Sequence, residues 1–120
     1  MLKEGYAYIP KKCLSSYCDI HLAFHGCAMS IEYIGFQFVQ HAGYNEIAEL
    51  NNFIILYPQI ERSEIWPRNH AACWDTYGYT DWIIPGFRLQ KFFSHNGSQA
   101  KAIMDVVDKL QKGELEFENV

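Results

Sequence analysis

The tripeptide His25-Gly26-Cys27 is the part of the sequence whose residue types and setting could do chemistry. It follows residues 18–25, in which apolar and polar side chains alternate as in a strand with one face more buried than the other. Gly26 lets the backbone turn and approach a ligand closely, so the turn can present the backbone N–H of Cys27. Fixed N–H donors stabilise the negative charge that develops on a carbonyl oxygen during ester hydrolysis. The motif therefore indicates an oxyanion-binding turn.

The strands that would position this turn follow from the distribution of apolar residues. They are predicted over residues 5–9, 18–25 and 53–57. Pro10 ends the first strand, because proline has no N–H to donate to a ladder. The third strand is a continuous apolar run before Pro58 and is typical of a parallel strand that is buried on both faces. The sequence therefore predicts a short sheet that contains a parallel pair.

A helical region is predicted directly after the turn. Ser30 is expected to cap a helix that begins at Ile31, by accepting a hydrogen bond from a free backbone N–H. Apolar residues continue at helical spacing to Ala42, Gly43 breaks the helix, and residues 44–50 resume it. This region would lie between the second and third strands.

The clearest helix is predicted near the end of the chain, from Ser98 to Lys112, with Gly113 as its C-cap. Residues 59–97 are predicted to be irregular, because proline and glycine punctuate them. The order of the elements predicts an α/β fold, a short parallel sheet with flanking helices.

Composition argues against two classes of partner. The net charge is −4 and there is no run of lysine or arginine, so no nucleic-acid partner is predicted. No stretch reaches the apolar length that spans a bilayer, so no membrane partner is predicted either. The N-terminal residues lack the layout of a signal peptide.

The four cysteines, Cys13, Cys18, Cys27 and Cys73, allow two interpretations. The even count suggests two disulfides formed in an oxidising compartment, whereas four free, buried thiols are the alternative. Zinc takes cysteine and histidine in fours, but the spacings do not form the paired pattern of a zinc site. No metal and no cofactor are predicted.

Several longer stretches point to one family. They include G-Y-A-Y-I-P and C-D-I-H-L-A-F-H-G-C near the N-terminus and the whole of residues 34–59. C-W-D at 73–75, G-Y at 78–79 and G-S-Q at 97–99 continue the pattern. Together these stretches resemble the polyhydroxybutyrate depolymerase-like esterases, from the circularly permuted branch of the α/β-hydrolases. The resemblance covers residues 5–112.

The resemblance implies a partial α/β-hydrolase fold, with residues 1–120 as one domain. It also implies a parent activity, the hydrolysis of ester bonds in a polyhydroxyalkanoate or a related hydroxyacyl ester through a serine acyl-enzyme. The backbone N–H of Cys27 would be one oxyanion donor, with Gly26 and His25 forming the turn. Further site residues would hold an apolar polyester chain at the mouth of the site: Trp74, Tyr77 and Tyr79.

The resemblance also bears on the cysteines and on location. It implies the disulfides Cys13–Cys18 and Cys27–Cys73, and a secreted or periplasmic protein. The chain departs from the family pattern in the loop before and after Trp74. His70 stands in place of a proline and Ala72 in place of a glycine, and Thr76 and Tyr77 stand where the family tends to carry two tryptophans.

The largest departure is the absence of G-x-S-x-G, the motif that presents a serine nucleophile in this fold. No serine, aspartate and histidine can be assembled into a triad in the order that the fold requires. The chain is therefore interpreted as the oxyanion-hole part of the esterase, inactive alone and completed by a nucleophile-bearing half. A non-catalytic remnant and a small metal-binding or interaction domain are the alternatives, and whether this chain is itself an enzyme stays open.

Overall fold

The structure is a computed structural model that describes residues 4–65, 68–75, 78, 80, 82–84, 87–88 and 94–118. It contains two compact units, Met1–Trp74 and Asp75–Val120. The prediction that residues 1–120 form a single domain stays a prediction.

The first unit is built on a mixed sheet of three strands, in the order β1-β3-β2. The strands are β1 (Tyr6–Tyr8), β2 (Asp19–Leu22) and β3 (Phe53–Tyr57). β2 runs parallel to β3, which confirms the predicted parallel pair. The prediction of a short parallel sheet holds for β2 and β3 but not for β1, which lies antiparallel along the other side of β3. Alternation with a period of two identifies a strand but carries no information on its direction.

Burial follows the central position of β3. Ile55, Leu56 and Tyr57 are all buried, as expected for a strand covered on both faces. On β2 the side chains alternate between exposed and half-buried, as the sequence pattern predicted. Ala48 packs with Ile55 and Tyr57 in the core cluster and is fully buried. Between β1 and β2, a 3-10 helix over Lys11–Leu14 is closed by the disulfide Cys13–Cys18.

Three short helices follow β2: α1 (Ile31–Ile34), α2 (Gln37–His41) and α3 (Tyr44–Asn51). Gly43 has a φ of 86° and separates α2 from α3, which confirms the predicted break. The prediction of an unbroken helix from Ile31 to Ala42 is wrong, since Gly35 ends α1 with a φ of 56°. Glycine adopts this left-handed backbone without the steric penalty that a side chain brings.

The second unit contains β4 (Trp82–Ile84), β5 (Phe87–Arg88) and α4 (Ser98–Lys112). β4 and β5 pair antiparallel, so the prediction that 59–97 is wholly irregular is wrong there. In the sequence the two strands lie on either side of Pro85-Gly86, a pair of residues that is typical of turns.

The bounds of α4 are confirmed. Gly113 is left-handed and donates to the Leu110 carbonyl, while the Glu114 N–H reaches the Lys109 carbonyl, the two bonds of a Schellman cap. No helix in the described part of the chain has the length and apolar character to span a membrane.

Candidate oxyanion turn

The candidate site is a tight turn over Gly26–Met29, a few residues after the end of β2 at Leu22. The Met29 N–H donates to the Gly26 carbonyl oxygen over 3.2 Å, which closes the turn. Ala28, the third residue, has a φ of 55°. A positive φ at this position is the requirement of a type II turn, and glycine usually meets it. An alanine there is strained, so the surrounding contacts must hold it in place.

Only one of the three N–H groups of residues 27–29 has no acceptor within the described ranges. The Ala28 N–H donates to the Ala71 carbonyl over 2.6 Å, and the Met29 N–H closes the turn. The Cys27 N–H has no such partner, and Cys27 is exposed. The turn therefore has one backbone donor without an acceptor in the described ranges, at the exposed residue Cys27.

The His25 ring fixes the turn from the protein interior. The side chain is only 2% exposed. The Ile60 N–H donates to Nε2 over 3.2 Å, so Nε2 carries no proton. Nδ1 therefore carries the proton and donates to the Gly26 carbonyl oxygen over 2.8 Å. Both ring nitrogens hold backbone groups, which leaves neither of them for proton transfer.

Gln59 is a site residue that the sequence analysis missed. Its amide is buried, and Oε1 accepts from the Ile31 N–H at the start of α1 over 2.9 Å. The prediction that the Ser30 side chain caps this helix is wrong, because Ser30 makes no side-chain cap bond. The buried Gln59 amide, which follows β3 in the chain, accepts from the first N–H of the helix instead. A polar residue immediately after a buried strand was the available signal.

A disulfide joins the turn to a second loop. Cys27 and Cys73 are bonded, with 4.4 Å between their Cα atoms, and both predicted pairings are therefore present. The Asn69 side chain brackets Cys73, donating to its carbonyl oxygen and accepting from its N–H, each over 2.9 Å. The Asn69 backbone pairs in both directions with Ser63. The loop that carries Cys73 is thus itself fixed by hydrogen bonds.

Ala72, which stands where the family pattern has a glycine, lies in left-handed backbone. It has a φ of 49° and is fully buried, directly before Cys73. Left-handed backbone is the reason for a glycine at such a position. The chain therefore has a strained alanine on each side of the disulfide, Ala28 after Cys27 and Ala72 before Cys73.

Trp74 contacts two aromatic rings just before the turn. Its ring centroid is 4.9 Å from that of Phe24, edge to face, and 5.7 Å from that of His25. Phe24 and Met29 are 48% and 38% exposed, so apolar surface borders the exposed Cys27 N–H. The other two predicted substrate-binding residues, Tyr77 and Tyr79, lie outside the described residues.

In the second unit, one carboxylate joins the described residues 75, 78 and 80. Asp75 Oδ1 accepts from the Gly78 N–H over 2.6 Å. Oδ2 accepts from the Thr80 N–H over 3.0 Å and from the Thr80 hydroxyl over 2.6 Å. The Asp75 N–H donates to Gln99 Oε1 near the start of α4. Tyr77 and Tyr79 belong to this segment in the sequence.

The side chains considered for zinc are engaged in other bonds. All four cysteines form disulfides, and both nitrogens of His25 bond to backbone groups. Across the part of the chain that the structure describes, no three histidine, cysteine or acidic side chains converge as metal ligands.

By sequence and fold, the chain is related to polyhydroxybutyrate depolymerases. It is similar to the polyhydroxybutyrate depolymerase of Talaromyces funiculosus, with 42% identity over 85 residues, 62% of this chain. It is also similar to the poly(3-hydroxybutyrate) depolymerase of Delftia acidovorans, with 31% identity over 116 residues, 94% of this chain. The matches span 25% and 21% of the lengths of those two relatives. No family model matches the chain.

Solved structures give the same relationship. The crystal structure of PHB depolymerase from Penicillium funiculosum superposes with a TM-score of 0.69 and 33% identity, over 92% of this chain and 36% of that one. A PHB depolymerase complexed with an R3HB trimer matches with a TM-score of 0.50 and 42% identity, over 59% of this chain and 26% of that one.

Proposed function

We propose that this chain supplies the oxyanion-binding turn of an α/β-hydrolase that cleaves ester bonds in a polyhydroxyalkanoate or a related hydroxyacyl ester. The observation that carries the proposal is the exposed Cys27 N–H, which has no acceptor in the described structure and sits on a turn fixed by a disulfide and a buried histidine. The relationship to polyhydroxybutyrate depolymerases supports the reaction class.

The turn would act on the charge that develops during acyl transfer. When a nucleophile attacks an ester carbonyl, the carbonyl oxygen becomes an oxyanion, and a donor that is already in place stabilises it without reorganisation. The Cys27 N–H is such a donor. His25 acts as a positioning residue, since its ring bonds fix the Gly26 carbonyl and leave no nitrogen for catalysis.

The topology of the sheet supports a nucleophile supplied by a segment outside these 120 residues. β2 is an edge strand of the sheet, and the turn begins a few residues beyond its C-terminal end. A strand added in parallel along the outer edge of β2 would end beside the turn. A serine placed directly after that strand would then attack a carbonyl whose oxygen faces the Cys27 N–H, the arrangement of a nucleophile elbow.

The surface around the turn suits a polyester. Phe24 and Met29 offer exposed apolar area beside the donor, and Trp74 packs edge-on against Phe24. Polyester chains present methylene and methyl groups between their carbonyls, so one surface can bind both features. Trp74 is proposed as part of this binding surface, and Tyr77 and Tyr79 stay predicted substrate-binding residues.

Complementation tests the proposal. The Penicillium funiculosum depolymerase would be prepared without the segment that this chain matches, and then combined with this chain in one reading frame. We expect hydrolysis of an R3HB trimer to return in the fusion and to be absent from each part alone. A folded fusion with both disulfides and no hydrolysis would contradict the proposal and favour a non-catalytic remnant.

A further inference from the structure

We propose that Asn96 is a site of N-glycosylation, accepting an oligosaccharide from a polyprenyl-diphosphate-linked donor. Asn96-Gly97-Ser98 is an N-x-S sequon whose middle residue is not proline. No other asparagine in the sequence is followed two residues later by serine or threonine. The inference is independent of the oxyanion turn and of the reaction proposed for it.

The sequon lies on the surface of the second unit. Residues 94–97 form a turn, closed by the Gly97 N–H donating to the Ser94 carbonyl over 3.0 Å. Asn96 is the third residue of this turn and is exposed. Its backbone N–H donates to the Ser94 hydroxyl, and its side-chain amide has no partner within the described ranges. The amide nitrogen that would be modified is therefore accessible in the folded chain.

Asn96 and Ser98 are both exposed, on either side of the buried Gly97. Gly97 is extended, with φ −64° and ψ 149°, and Ser98 then begins α4 as an exposed residue. A glycan on Asn96 would thus project from a turn before the helix. Modification there would displace no packed side chain, which is the usual situation of a glycosylated surface loop.

The disulfides are typical of the oxidising compartments in which N-glycosylation takes place. All four cysteines are paired, and such bonds form and persist in oxidising compartments such as the lumen of the endoplasmic reticulum or the periplasm. Oligosaccharide transfer to sequons takes place on the same side of the membrane. A chain that acquires these disulfides in a secretory pathway therefore meets the donor.

The transfer balances as a substitution at the anomeric carbon. The Asn96 Nδ2 forms a bond to C1 of the first sugar, while the bond from C1 to the diphosphate oxygen breaks. The polyprenyl diphosphate leaves, and the amide nitrogen loses one proton. No oxidant or reductant is consumed.

The test is to direct the full chain into the endoplasmic reticulum of yeast and to measure its intact mass under non-reducing conditions. We expect a species heavier by one N-linked oligosaccharide, with both disulfides formed. Release by peptide N-glycosidase in ¹⁸O-labelled water should convert Asn96 to ¹⁸O-labelled aspartate. A matched sample kept in the labelled water without the glycosidase measures spontaneous deamidation at Asn96-Gly97, and only label in excess of that control counts as enzymatic release.

Matched variants locate the site. Asn96→Gln and Ser98→Ala should abolish the added mass, whereas Ser98→Thr keeps the sequon and should retain it. Asn51→Gln, at an exposed asparagine outside any sequon, should leave it unchanged. A chain with both disulfides but without the glycan, in cells that glycosylate a control protein, would overturn the proposal. A glycan that persists in Asn96→Gln would overturn it as well.

Discussion

The turn Gly26–Met29 and the segment 75–80 are both fixed by polar contacts, but they are fixed in different ways. The turn is held by the disulfide to Cys73, by a backbone bond to Ala71 in the same loop, and by the buried ring of His25, which also bonds to the Ile60 N–H. Among residues 75, 78 and 80, three bonds end on the carboxylate of Asp75, and a fourth joins the Asp75 N–H to Gln99 Oε1. A substitution of Asp75 therefore removes three bonds together, whereas no single substitution removes all the attachments of the turn.

This difference bears on the proposed roles. A donor to an oxyanion must be in place before the charge develops, and redundant attachment gives that preorganisation. The turn even holds an alanine at a positive φ, which a weakly attached loop would relax. At the described residues 75, 78 and 80, in contrast, three bonds depend on the side chain of Asp75.

Removing the attachment that closes the longest loop should have the largest effect. The double substitution Cys27→Ser/Cys73→Ser opens a loop with a sequence separation of 46 residues. We expect the free energy of unfolding to fall by about 4 kcal/mol, from the entropy that the unfolded chain regains. Chemical denaturation measures this.

The matched control is Cys13→Ser/Cys18→Ser, which opens a loop with a separation of only 5 residues. Its cost should be about 2 kcal/mol by the same entropy argument. Equal losses of unfolding free energy from the two pairs would show that loop closure does not account for the stabilisation by the Cys27–Cys73 disulfide.

Asp75→Ala should have the next largest effect, because it removes three acceptor bonds together. Hydrogen bonds to a charged group contribute about 1.5–3 kcal/mol each when shielded, and these are partly exposed, so we expect about 3 kcal/mol in total. The amide protons of Gly78 and Thr80 should lose their protection from hydrogen exchange. Asp75→Asn keeps one acceptor oxygen and should retain part of the protection. Unchanged exchange in Asp75→Ala would show that the Asp75 carboxylate does not fix the N–H groups of Gly78 and Thr80.

Ala28→Gly should stabilise the protein while leaving every attachment of the turn in place. Glycine adopts a φ of 55° without the penalty that alanine has there, and Ala28 is exposed, so little packing is lost. We expect a gain of about 1 kcal/mol in the free energy of unfolding. Ala72→Gly is the control, since its methyl group is buried and its loss should offset about 0.8 kcal/mol of the same gain. A loss of stability in Ala28→Gly would mean that the turn is not strained.

Alkaline pH should loosen the core beneath the turn by a smaller amount. Burial, with smaller contributions from Tyr44 and Glu46, raises the pKa of Tyr57 to about 12. Because the unfolded value is near 10, the stabilisation from the neutral phenol is complete below about pH 10 and is lost as the pH rises through 12. Unfolding free energies between pH 9 and 12 should therefore decline more steeply in the wild type than in Tyr57→Phe. Parallel profiles would contradict this.

The sequence predicted the local features of this fold and missed the non-local ones. The bounds of β3 and α4 were recovered because each has a periodic apolar pattern with a stop signal. The Gln59 amide bonds to the Ile31 N–H across 28 residues, and no local pattern records such a contact. The direction of β1 was missed for the same reason. The break at Gly35 was not predicted, because the apolar residues on both sides of it keep helical spacing.

The candidate site divides in the same way. The turn and both disulfide pairings came from the motif and the family resemblance, and the structure shows a turn and both bonds. The tautomer of His25 could not be predicted, because it depends on the N–H of Ile60, which approaches from beyond β3. The oxyanion role of Cys27 and the substrate-binding roles stay predictions.

The central claim is that the Cys27 N–H is the donor, and a pair of double variants in the complemented enzyme tests it most directly. Cys27→Ala/Cys73→Ala removes the disulfide and keeps the N–H, whereas Cys27→Pro/Cys73→Ala removes both. Proline suits the second position of a type II turn, so the turn itself should persist. The account predicts that the proline variant has a kcat about 100- to 1,000-fold below that of the alanine variant, with KM little changed. Equal kcat values in the two folded variants would contradict it.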